Sequence, residues 1–219
     1  MNARDAILNR IRKAQADTNA SAPAARQTAA EHLARHPRGP LQQSPDNLPA
    51  HFRVRALKLS SDILETNDCQ EVPALLAHYL NERQLPRSGV CWPSLSALPW
   101  SAAGLDMQSR PANGLDMVGV TGAFCAIAET GTLMLLSGAN TPATTSLLPE
   151  THVAIIDPQR IVATMEDAWD LMRKECQQAP RAVNFISGPS RTADIEQTVT
   201  LGAHGPYRVL LIFAPVTQA

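Results

Sequence analysis

Three short stretches bring together side chains able to do chemistry. Ala128-Glu129-Thr130-Gly131-Thr132 sets a carboxylate and two hydroxyls around a glycine. Ser187-Gly188-Pro189-Ser190-Arg191-Thr192-Ala193-Asp194 places one cation and several hydroxyls just after an apolar run. Gly202-Ala203-His204-Gly205 holds an imidazole between glycines. A carboxylate that interrupts an apolar run is costly unless paired, hydrogen-bonded or at the surface. Glu129 therefore reads in two ways. It is the solvated corner of a hairpin, or it is a carboxylate held at a sheet edge as nucleophile, base or hydroxyl acceptor.

The second stretch is also open to two readings. Gly188 permits a tight turn and close approach of another group, and Pro189 fixes the backbone. Ser190 or Thr192 is a natural N-cap for a following helix. Free amides at that helix start, with Arg191, suit a carboxylate or phosphate. Asp194 and Glu196 would then share the first turn, where they favour the helix dipole and repel an anion. Arg191 and Asp194, three apart, can also pair with each other. A capped strand-to-helix turn and an anion site both fit. His204 reads as a cap on the last carbonyls of that helix or as a general acid. His152, opening an apolar run, reads as structural. No two histidines have metal-motif spacing, and neither G-x-S-x-G nor G-x-G-x-x-G occurs.

The elements that would position these groups alternate. Ile7, Leu8 and Ile11 predict a short amphipathic helix over 3–15, with a second over 24–35. Pro37, Pro40, Pro45 and Pro49 argue against regular structure through that stretch. Residues 1–50 thus read as a helical arm and Pro-rich linker, docked on the body or on a second copy of the chain, or free. Beyond it, a helix is expected over 51–60 and a strand at SDILET. A helix follows at EVPALLAHYLNERQ, with Val72, Leu75, Leu76 and Tyr79 on one stripe. Strands are expected at GVCWPS, HVAIID, AVNFIS and YRVLLIFA, and an apolar stretch fills 114–136. Asp157 and Pro158 predict a helix start, with Ile161, Val162, Met165, Trp169 and Met172 on its buried face. Another helix is expected over 192–201. This alternation implies a largely parallel sheet covered on both faces. Ligands in such sheets lie outside the carboxyl ends of the strands, which would put Ser187 to Ser190 at that edge.

Composition narrows the function. The 219 residues carry 19 basic and 20 acidic side chains for a net charge of −1, and aromatics are 4%. A nucleic-acid binder would need a basic face or stacking platforms. Cys69, Cys91, Cys125 and Cys176 are scattered with no C-x-x-C, so they read as free thiols in a reducing compartment and no cofactor is expected in this chain. The charged N-terminus lacks a signal-peptide core, and no run reaches the ~20 apolar residues of a membrane span. The chain reads as cytoplasmic.

Read together, AIAETGTLMLLS, SLLPETHVAII, ISGPSRTADIE and GAHGPYRVLLI resemble, in this order and spacing, the LUD-domain family, over roughly residues 51–219. The resemblance implies a three-layer α/β/α fold with a mostly parallel sheet. That fold is similar to the sugar-phosphate isomerase and CoA-transferase group and to formyltetrahydrofolate cyclo-ligase. It implies a role in oxidising L-lactate to pyruvate alongside two partner proteins, at least one of them carrying iron–sulfur clusters; the chain itself is expected to bind a small anionic metabolite or a partner protein. Carried over by motif, Glu129 is the catalytic candidate. Thr130, Gly131, Gly188, Ser190, Arg191, Thr192, Asp194, His204 and Gly205 are the binding candidates. A stand-alone isomerase or acyl-transfer enzyme and a non-catalytic assembly factor are the alternatives. In one respect the chain departs from the family: GANTPATTSLLP carries Thr141 and Ala143 where an arginine commonly precedes SLLP.

Overall fold

The structure is a computed structural model that describes residues 3–16, 22–36, 38–40, 45–192 and 200–215. The chain divides into two compact units, Met1–Gln42 and Gln43–Ala219. The first contains α1 (Ala3–Ala16) and α2 (Ala22–Arg35), and Ile7, Ile11 and Leu33 on them are exposed.

The second unit begins with α3 (Leu48–Lys58), whose N-cap Asn47 accepts from the Ala50 amide. Pro49 lies in its first turn rather than in irregular chain, because the amide that proline lacks has no partner there in any helix. Next come β1 (Asp62–Glu65), α4 (Val72–Glu82), β2 (Ser88–Cys91), β3 (Asp106–Ser109) and β4 (Val118–Gly122). A hairpin of β5 (Cys125–Ile127) and β6 (Thr132–Leu136) is followed by the one-turn helix α5 (Thr144–Leu147) and β7 (Thr151–Ile156). The chain closes through β8 (Ile161–Val162), α6 (Met165–Glu175), β9 (Val183–Ile186), β10 (Arg191–Thr192), β11 (Thr200–Leu201) and β12 (Arg208–Phe213).

The mostly parallel α/β sheet expected from the sequence is present. Six strands lie in the order β1-β12-β7-β4-β2-β3, every pair parallel. The apolar runs of β7 and β12 are buried almost end to end, as strands covered on both faces require. Phe52 of α3 meets Phe213 of β12 edge to face, with ring centroids 5.9 Å apart.

A second sheet has the order β8-β5-β6-β9, with antiparallel pairing on both sides of β6. Its side chains alternate in destination, following the two-residue strand period. Ala126, Ala128, Leu133 and Leu135 join the main core. Cys125, Ile127 and Met134 join a smaller cluster with Ala168 and Met172 of α6.

Three expectations are corrected here. The run VNFI is β9 of the second sheet, half-buried and antiparallel to β6, not a strand of the parallel sheet. Asp157 caps only a three-residue 3-10 turn, Pro158–Arg160, by accepting from the Gln159 amide. Ile161 and Val162 are strand, and α6 begins at Met165 behind a Thr164–Asp167 capping box. The helix expected over 192–201 does not start at Thr192: Arg191 and Thr192 pair antiparallel with Leu201 and Thr200. Residues 193–199 lie outside the described residues.

Candidate functional site

The three motifs converge around the end of α3. That helix closes with Ser60 at φ 65°; the Ser60 amide donates to Leu57 O at 2.9 Å and the Ser61 amide to Ala56 O at 3.1 Å. This double closure consumes two of the helix's last carbonyls. The carbonyl of Leu59 remains outward. Arg191 Nη2 donates to it at 3.3 Å and to Ser60 Oγ at 2.5 Å. A cation at a helix C-terminus is favourably placed against the dipole. The same carbonyl stands where a side chain at Gly188 would go, and Gly188 has φ 76°.

The β5–β6 turn lies against the same helix. Gly131, at φ 70°, is so close that an added Cβ would stand 2.7 Å from the Ala56 amide nitrogen and from Arg55 Cβ. Thr130 Oγ1 donates to Thr132 Oγ1 at 2.8 Å, and Thr132 Oγ1 is 2.6 Å from Ser187 Oγ. A chain of hydroxyls therefore links the first motif to the second. Glu129 sits in the turn, half-buried. Its amide donates to Ala163 O at 3.0 Å, and its carboxylate has no side-chain partner among the described residues. Nearby on α3, Arg55 Nε donates to His51 Nε2 at 3.4 Å.

Ser190 ties in the third motif. Its amide donates to Pro206 O, and its carbonyl accepts from the Gly202 amide, both at 2.9 Å. The His204 amide donates to Ser190 Oγ at 3.4 Å, and Gly205 packs against the Ser190 side chain. The His204 ring is exposed, and Thr200–Leu201, shortly before it among the described residues, are strand β11. Thr192 sits in the β10–β11 ladder. Asp194 lies outside the described residues.

The edge is not the one expected. Leu59 and Ser60 lead into the start of β1, and Pro206 leads into the start of β12. The cluster thus lies at the amino ends of the parallel strands. It does so because β9, which delivers it, belongs to the other sheet.

The carboxyl ends carry two cavities lined by none of the motif residues. One, of about 310 Å³, lies beyond β2, β4 and β7 and is walled by Trp92, Leu95, Gly122, Phe124 and Ile155, with Asp157, Arg160 and Glu175 at its polar side. Thr141, in the segment where the resemblance implies an arginine, also borders it. The other, about 430 Å³, lies beyond β1 and β12, with Arg53, Glu65 and Phe213 among its walls. Asp157 borders both. Arg53 forms a two-pronged pair with Glu65, which lowers the pKa of that carboxyl. Arg160 pairs likewise with Glu175 at 2.7 and 2.8 Å, again lowering the acid's pKa. Sequence reading did not single out Trp92, Gly122, Phe124 or Arg160, which line the first cavity, and took Asp157 only as a cap. The available signal was that GVCW and HVAIID both end on polar or aromatic groups at strand carboxyl ends.

Among the described residues no three His, Cys, Asp or Glu side chains gather to hold a metal ion. All four cysteines are free, with Cys91 and Cys125 buried. Burial pushes the Cys125 thiol up to about 12, which makes it unreactive. No helix among the described residues is long and apolar enough to cross a membrane.

A parallel α/β sheet with a side sheet that delivers a polar cluster to one edge defines the class of domain. Residues 108–214 match the family model of the LUD domain, and all three motifs lie within the matched stretch. Lactate utilization protein C of Anoxybacillus flavithermus is 39% identical over 95 residues, 43% of this chain and 42% of that one. The protein of the same name from Bacillus subtilis is 38% identical over 98 residues, 43% of this chain and 41% of its own. An uncharacterized protein of Neisseria meningitidis is 44% identical over 96 residues, 44% of this chain and 41% of its own. These matches span about two-fifths of each relative's length. The crystal structure of a DUF162 family protein from Deinococcus radiodurans shares the fold, with TM-score 0.60 and 24% identity over 80% of this chain and 99% of that one.

Proposed function

We propose that this chain serves lactate utilisation, in a system that oxidises L-lactate to pyruvate. In this reading the redox centres belong to iron–sulfur partner proteins and the system works in the cytoplasm. The observation that carries the reading is the match of residues 108–214, motifs included, to a domain whose curated relatives are named for lactate utilisation. The geometry is consistent with it. Glu129 offers a carboxylate without a side-chain partner among the described residues. Arg191 uses Nη2 on Leu59 and Ser60, just past α3, and among the described residues Nη1 has no hydrogen-bond partner, so it can donate to a small carboxylate. The hydroxyls of Thr130, Thr132, Ser187 and Ser190 lie within the same cluster. A 2-hydroxy acid has both a carboxylate for Arg191 and a hydroxyl for an acceptor such as Glu129.

The test is genetic and physical together. In a strain whose own copy is deleted, the wild-type chain restores growth on L-lactate. Glu129→Gln abolishes that growth while the melting temperature stays within a few degrees. Undiminished growth of the variant would make Glu129 a solvated turn residue. Growth of the deletion strain itself on lactate would remove the chain from this role.

A further inference from the structure

We propose that the carboxyl-edge cavity beyond β2, β4 and β7 is a second small-molecule site, built for a flat apolar ring that carries a positively charged amine. Four observations support it, and none depends on the lactate reading. The first is size and place. About 310 Å³ falls in the range of ligand pockets, and the carboxyl ends of parallel strands are where such sheets hold ligands.

The second is the wall. Trp92, Leu95, Phe124 and Ile155 are apolar. Trp92 is buried, with 5% of it exposed, but Gly122 puts no side chain over its six-membered ring: a Cβ there would stand 3.7 Å from Cζ3. A flat apolar ring entering beside Gly122 would meet that part of the indole together with Phe124. The Trp92 ring is fixed in place, because its Nε1 donates to Pro142 O at 3.2 Å.

The third is that the one cation is committed. Arg160 Nε donates to Phe124 O at 2.9 Å, while Nη1 and Nη2 hold the Glu175 carboxylate. Its guanidinium also lies 4.8 Å from the Phe124 ring centroid. Glu175 therefore balances the Arg160 charge within the cavity wall. The fourth is Asp157. It accepts from the Gln159 amide at 2.9 Å through Oδ1, and Oδ2 has no partner among the described residues. Arg160 is held by the Glu175 carboxylate and also feels the Asp157 charge, so one cation faces two carboxylates and the cavity's polar side carries net negative charge. A carboxylate ligand meets repulsion there. An ammonium group gains a charge-assisted hydrogen bond.

Two probes with the same ring and opposite charge decide the matter: tryptamine and indole-3-acetate. Saturable binding is measured on the full chain by calorimetry and by ligand-observed NMR. The expected result is that tryptamine binds at least tenfold more tightly than indole-3-acetate. Asp157→Asn keeps the cap on the Gln159 amide and erases that preference. Gly122→Leu, which fills the space over Trp92, abolishes binding of both. Ser94→Trp, at the exposed rim of the same cavity, does the same without touching the core, so a folding failure of Gly122→Leu leaves the test intact. Equal binding of the two probes, binding unaffected by a rim or floor variant that retains its fold, or no saturation by tryptamine up to 10 mM would each overturn the proposal.

Discussion

At Gly188 the local sequence identifies the residue type but not its neighbour. A glycine after an apolar run predicts close approach, and the structure has close approach, yet what approaches is the Leu59 carbonyl of a helix early in the chain. Arg191 shows the same limit. Among the described residues its contacts are Leu59 and Ser60, distant in sequence, which no local pattern names; Asp194, which the spacing offers as a partner, lies outside those residues. Local reading can specify a residue's conformational or charge requirement; long-range packing decides what satisfies it. His152 was legible as structural, and its energetics make a prediction. It is fully buried, with Nε2 2.8 Å from Thr121 Oγ1 and Nδ1 without a partner among the described residues. Burial lowers its pKa to about 4, so it stays neutral in the fold. Its ordinary value is ~6.5. The unfolded chain therefore binds a proton between these values that the folded chain refuses. The stability associated with neutral burial is complete above pH ~6.5 and is lost as pH falls toward 4. At about 1.4 kcal/mol per pH unit the loss is roughly 3 kcal/mol. Urea denaturation at stepped pH checks this against His152→Gln. The wild type should lose stability more steeply across that window, and parallel profiles would refute a neutral buried imidazole. The lowered carboxyl pKa values of Glu65, Asp116 and Glu175 are common to both proteins and cancel in the comparison.

Elements whose signal is local were read correctly. The stripe of α4 and the apolar runs of β7 and β12 each carry their own periodicity. Errors arose where pairing with a distant strand overrides propensity. The segment from Arg191 reads as a helix start by capping chemistry, but Arg191 and Thr192 pair with Leu201 and Thr200. The helix after β7 shows a subtler error, in where it begins. Asp157 precedes a proline and has the right chemistry, but Ile161 and Val162 pair alongside β5 before any helix begins. Thr164 is the cap of α6: its Oγ1 accepts from the Asp167 amide, and the Asp167 carboxylate accepts in return from the Thr164 amide. Thr164→Ala should therefore cost about 1 kcal/mol and lower the melting temperature by roughly 2–4 °C for a domain of this size. Asp157→Ala should cost less, since it releases only a three-residue turn. Differential scanning calorimetry of the two variants separates them. A larger loss at Asp157 would mean that the 3-10 turn, not the capping box, starts the helix.

For the whole molecule, the edge at which each motif lies was not legible, because it depends on which sheet each strand joins. Assigning β9 to the parallel sheet moves the Ser187–Ser190 turn to the carboxyl edge; its true place in the second sheet puts that turn at the amino edge. The arm raises a question of the same scale. Both apolar clusters are built from residues between Leu48 and Ala214, so the body has a complete core of its own. The helices α1 and α2 have 14 residues each, about the length at which an isolated helix is marginal in water. Their larger apolar side chains Ile7, Ile11 and Leu33 are 60%, 48% and 69% exposed. A chain beginning at Gln43 should therefore fold, unfold cooperatively and melt within a few degrees of the full-length protein. A peptide of residues 1–42 should show weak helicity by circular dichroism and gain it in trifluoroethanol. The outcome that would refute this is a truncated body that melts much lower or fails to fold. In that case the arm supplies stability to the body, and its exposed isoleucines would be the first residues to substitute.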